Sequence, residues 1–143
     1  MKALAPAGLC AAALLWTGCA TVWSRGIVQN GGGESIQTAT VQVLEGGDAK
    51  PVATISVDRN GCFMVGPFVA KGEHRFTLEI SAPGFKPSTY DFELQTPILV
   101  ATLVPTSSEA PSEIRPADAS ERENTWMPLC VPPTPQGASQ LSP

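Results

Sequence analysis

Val52-Ala53-Thr54-Ile55-Ser56-Val57-Asp58-Arg59-Asn60-Gly61-Cys62-Phe63-Met64-Val65 is the stretch that decides the fold. Two β-rich runs flank Asp-Arg-Asn-Gly, and Asn-Gly tolerates positive φ at both central positions of a tight turn. The stretch therefore reads as strand, hairpin turn, return strand. Outward from it the same grammar repeats. Residues 22–29 form a candidate first strand closed by Asn30-Gly31-Gly32-Gly33, and residues 39–45 alternate Val41 and Val43 against Thr40, Gln42 and Leu44 before Gly46-Gly47-Asp48. Residues 74–81 place Phe76, Leu78 and Ile80 on one face and Thr77 and Glu79 on the other. That period of two is the mark of a half-buried strand. Pro83-Gly84 turns the chain, and residues 89–94 and 98–104 supply two more runs. Seven short strands at this spacing predict an all-β fold, a seven-stranded antiparallel β-sandwich. Two layers are expected because a lone sheet would leave an apolar face in water.

The ends of the chain have a different character. Lys2 precedes an Ala- and Leu-rich run to Trp16, followed by Thr17-Gly18-Cys19. The apolar run is too short to cross a bilayer and reads as an export signal. Its ending resembles the lipobox of bacterial lipoproteins, with Trp16 where that family usually carries Leu. The resemblance implies a signal peptide over residues 1–18 and lipidation of Cys19, with acyl chains such as palmitate anchoring the mature chain in a membrane. Residues 19–21 are then a short tether. Cleavage after Ala20, giving a soluble exported chain, is the competing reading, since Gly18 and Ala20 make a small-x-small pair. Cys19 is not followed by Asp, which in enteric-type lipoproteins favours the outer membrane, so the expected address is its periplasmic face.

Residues 105–143 hold eight of the 14 prolines, and residues 106–143 read as a mostly disordered tail. One island interrupts it, Trp126-Met127-Pro128-Leu129-Cys130-Val131. It has two readings: docking back on the sandwich, or a linear motif for a partner. Of four cysteines, Cys10 leaves with the signal and Cys19 is lipidated or removed. Cys62 and Cys130 remain in an oxidising compartment and are expected to pair, closing a loop of about 68 residues; two unpaired thiols are the alternative.

Between the two ends, Gly26-Ile27-Val28-Gln29-Asn30 with Gly33, Ile36, Ala39, Val41 and Val43 resembles the opening of carboxypeptidase regulatory-like domains. Asp58-x-Asn60-Gly61-x-Phe63, Lys71-Gly72 with Phe76-Thr77-Leu78, and Ser81-Ala82-Pro83-Gly84-Phe85 follow in that family's order, with Phe76 and Phe85 where it has tyrosines. The resemblance covers residues 22–105. It implies a transthyretin-like (prealbumin-like) sandwich without catalytic activity, acting as an accessory or surface module.

Chemistry is sparse. The single histidine, His74, has no nucleophile elbow beside it. One histidine and two distant cysteines make no zinc set, and Asp58-Arg59-Asn60-Gly61 lacks the later ligands of a calcium loop. No catalytic residue, metal ligand or cofactor is expected. Net charge is −4 without a basic stripe, which argues against nucleic-acid partners. The expectation is a non-catalytic envelope lipoprotein, structural or protein-interacting. The alternative is a glycan- or peptide-binding accessory module. Candidate contact residues are Phe68, in the 66–72 loop, and Trp126, with Phe85 and Trp23 as further exposed aromatics.

Overall fold

A computed structural model describes residues 21–46, 50–69, 75–126 and 130. Cys19 and His74 lie outside the described residues. The chain is an all-β sandwich of eight strands: β1 Thr21–Asn30, β2 Thr40–Glu45, β3 Pro51–Ser56, β4 Cys62–Val69, β5 Phe76–Ser81, β6 Ser88–Phe92, β7 Gln95–Leu103 and β8 Glu113–Pro116. One four-stranded sheet has the order β4-β1-β7-β8 and the other β3-β2-β5-β6.

The alternating strands pack as their patterns require. Val41 and Val43 of β2 and Phe76, Leu78 and Ile80 of β5 are all buried, and they meet Val22, Val28, Val65, Leu99, Ala101 and Leu103 from the facing sheet. Fully burying a large aliphatic or aromatic side chain stabilises by roughly 1.5–3 kcal/mol. Phe76 anchors an aromatic group within this core: its ring centroid lies 5.6 Å from Phe92 and 6.2 Å, edge-on, from Phe68.

Three expectations need correction. The first is the hairpin. β3 pairs with β2 in one sheet, whereas β4 pairs with β1 in the other. Asp58-Arg59-Asn60-Gly61 is thus a corner between layers. The Asp58 carboxylate accepts from the backbone N–H groups of Asn60 (2.8 Å) and Cys62 (2.9 Å), so a side chain supplies part of what a ladder would. Only Gly61 takes positive φ, at 80°; Asn60 does not. The Gly61 carbonyl then accepts from Val28 N–H at 2.8 Å, docking the corner on β1.

The second concerns strand direction. β1 runs parallel to β7, with Gly26 opposite Leu99 and Val28 opposite Ala101. Every other strand pair is antiparallel. A Cβ at position 26 would collide with the Leu99 carbonyl oxygen and come within 2.9 Å of Phe63 Cζ. Gly26 is the condition for this close approach.

The third is the strand count, which is eight and not seven. β8 lies among residues read as tail, and it pairs with β7 through Ala101 opposite Ile114. Ser112 secures its entry, its hydroxyl donating to the Lys86 carbonyl (2.8 Å) and accepting from Val104 N–H (2.9 Å). Ile114 completes the core beneath.

Candidate functional site

The outer face of the β4-β1-β7-β8 sheet is apolar as well. Ile27 from β1, Cys62 from β4 and Val100 from β7 form a second buried cluster with Trp126, flanked by Ile98, Ala117 and Cys130. The chain reaches this face by turning back after β8. Ala117 N–H donates to the Ile98 carbonyl (2.8 Å), and Asp118 caps a short helix, α1 (Ala119–Glu121). A π-helical turn, Arg122–Trp126, then delivers the indole. Trp126 retains only 9% of its accessible surface. Four residues later Cys130 is bonded to Cys62, with Cα atoms 5.4 Å apart. The expected pairing of these cysteines is present, and Trp126 itself docks on the sandwich; residues 127–129 and 131 of the island lie outside the described residues.

A short electrostatic strut stiffens the approach. Arg115 makes a two-pronged contact with Glu121, at 2.8 and 3.0 Å. This partner raises the Arg115 pKa further, chiefly through the hydrogen bond. The Asp118 carboxylate accepts from Glu121 N–H at 2.8 Å, and its pKa is lowered mainly by that backbone bond.

At the rim of the cluster sits Arg25. It occupies the outward side of β1, two residues from Trp23, and the two side chains share a face. Its guanidinium carbon is 4.9 Å from the Trp23 ring centroid and 5.1 Å from that of Trp126. The cation is therefore held between two indoles, one from the first strand and one from the returning segment. Such contacts contribute about 0.5–2 kcal/mol each, more as water is excluded. Two buried donors at this place, Arg25 Nε and Trp126 Nε1, have no hydrogen-bond partner among the described residues. Neutral packing alone leaves such groups costly.

Two grooves open beside Arg25. The larger, about 760 Å³, is lined by Arg25, Ile55, Asp58, Met64, Ile98 and Trp126 among others. Met64, 65% exposed, is its most open apolar wall. The smaller, about 410 Å³, lies toward the start of β1 and includes Trp23, Arg25, Gln95, Thr96 and Arg122. Together they can hold a ligand that offers acceptor oxygens to the guanidinium and an apolar group to Met64 and Ile98.

The other aromatic candidates have inward roles. Phe68 is half-buried against Phe76, and Phe85 packs against the main core next to its bridge with Pro105. Arg25 escaped the sequence reading. Its one local signal is the Trp23-x-Arg25 spacing, and Trp126 stands about a hundred residues away in the chain. Among the described residues no group of three or more His, Cys, Asp or Glu is placed to hold a metal ion, and no helix is long and apolar enough to cross a membrane.

No protein-family model matches the sequence, and no curated protein matches it. Among solved structures, the chain is similar to catechol 1,2-dioxygenase of Acinetobacter radioresistens at 18% identity. TM-scores are 0.41 for the wild-type enzyme and 0.42 for each of two single-residue mutants. The match covers 71% of this chain and 58% of the dioxygenase chain. The chain thus spans less than two thirds of that enzyme, and a similarity of this size carries no activity across.

Proposed function

We propose that this chain is a non-catalytic lipoprotein of the cell envelope whose sandwich, of carboxypeptidase regulatory-like type, serves as a protein-interaction module. Acyl chains on Cys19 hold it to the periplasmic face of the outer membrane. Its recognition surface is the outer face of the β4-β1-β7-β8 sheet.

One observation carries the reading: Arg25 is held between Trp23 and Trp126 beside an open, largely apolar groove. A fixed cation flanked by aromatics at the edge of a dry patch is the composition of interaction hot spots, which favour Trp and Arg. The Cys62–Cys130 bond supports an exported setting, because disulfides persist in oxidising compartments. The same bond pre-organises the surface, which reduces the ordering cost of binding.

The test is a photo-crosslinking residue in place of Met64, in the full chain in its native membrane. The expected result is a discrete adduct to an envelope protein that disappears when Arg25→Met is added. Absence of any adduct, or one indifferent to Arg25, contradicts the reading. A melting-temperature rise with envelope glycan fragments and no protein adduct would instead favour the glycan-binding alternative.

A further inference from the structure

We infer that the smaller groove, lined by Trp23, Arg25, Gln95, Thr96 and Arg122, is the face the sandwich lays on its membrane, receiving a phospholipid headgroup phosphate. This rests on the proposed lipid anchor at Cys19. Four residue steps separate Cys19 from Trp23, at most about 14 Å of extended chain. Trp23 pairs with Gln95 at the start of β7, and Thr21 pairs with Val69 at the end of β4. The groove therefore occupies the end of the sheet nearest the anchor.

Charge and chemistry agree with that position. Among the described residues neither Arg25 nor Arg122 has a salt-bridge partner. Arg25 and Arg122 thus flank the groove without a carboxylate partner there, in a chain whose net charge is −4. A guanidinium presents a planar fork suited to phosphate oxygens. Trp is the residue that settles at headgroup depth, its ring apolar and its N–H polar. Gln95 and Thr96 add side chains able to bond the glycerol and phosphate oxygens. Scattered charge along the sequence hides this pair, because Arg25 and Arg122 come from opposite ends of the folded part.

The experiment uses the acylated mature protein in vesicles of phosphatidylethanolamine and phosphatidylglycerol, with a nitroxide on a fraction of the headgroups. Trp16 leaves with the signal, so Trp126→Phe makes Trp23 the sole emitter. The expected result is quenching of Trp23 that is lost in Arg122→Glu, an exposed position whose exchange leaves the core untouched. Arg25→Gln, checked for an intact disulfide, gives the same loss. An acylated protein with unquenched Trp23, or quenching unchanged in Arg122→Glu, overturns the lipid face alone. An intact mass without acyl groups overturns the anchor and the lipid face with it.

Discussion

Reduction of the Cys62–Cys130 bond is the perturbation whose consequence can be worked furthest from the structure. The bridge spans 68 residues of sequence. In the chain-entropy treatment a loop of that size removes roughly 15 cal/mol/K from the unfolded ensemble, or about 4 kcal/mol at 25 °C. The constraint reaches both sheets, because the closed loop contains β4, β5, β6, β7 and β8 along with α1. For a domain near 100 residues, this corresponds to a fall of about 15–30 °C in Tm. The assay is urea unfolding of the mature protein followed by tryptophan fluorescence, with oxidised protein compared against reduced and alkylated protein. The expected outcome is a lower midpoint with a somewhat steeper slope, since the unfolded chain freed of its cross-link is less compact and exposes more surface. A loss below about 1 kcal/mol would contradict a dominant role for the bond. It would mean that Trp126 and its neighbours hold the returning segment without help from the bond.

Further outcomes follow from individual contacts. Gly26→Ala drives a methyl into the Leu99 carbonyl and should separate β1 from β7, costing about 3 kcal/mol or preventing folding, read by circular dichroism and denaturant midpoint. Trp126→Ala removes the centre of the outer cluster and should cost about 3 kcal/mol in the same unfolding assay. Arg25→Met keeps the stem, loses the stacked cation and also relieves the unpartnered Nε, so stability should change by less than about 1 kcal/mol while the Met64 crosslink is lost. Asp118 has a lowered folded pKa, so its cap contributes fully above the ordinary carboxylate range. That contribution fades as pH falls below about 4, and Asp118→Ala should flatten the pH dependence of stability there.

The sandwich was legible because its central strands obey a period of two. Phe76, Leu78 and Ile80 alternate with Thr77 and Glu79, and all three apolar residues enter the core. The corner at Asp58 was misread because Asn-Gly signals a turn without stating which strands the turn joins. Pairing partners are set by tertiary contacts such as Val28 with Gly61. β8 escaped because composition averages over a long proline-rich window, whereas the strand needs only Ile114 and the Ser112 hydroxyl. A subtler signal lay in β7. Ile98-Leu99-Val100-Ala101 is continuously apolar, the pattern of a strand covered on both faces. That run foretells the second cluster under Trp126. The site itself was half legible: Trp126 and the two cysteines stand out in a polar tail, while Arg25 acquires meaning only once Trp126 folds over it.

The intact mass of the mature protein extracted from membranes, before and after reduction with thiol alkylation, reads the anchor and the Cys62–Cys130 bond in one spectrum. A lipid-anchored, disulfide-clipped sandwich gives an N-terminus at Cys19 carrying acyl mass, with two thiols appearing only after reduction. An N-terminus at Thr21 without lipid would contradict it, leaving an exported sandwich with no anchor to orient its aromatic face.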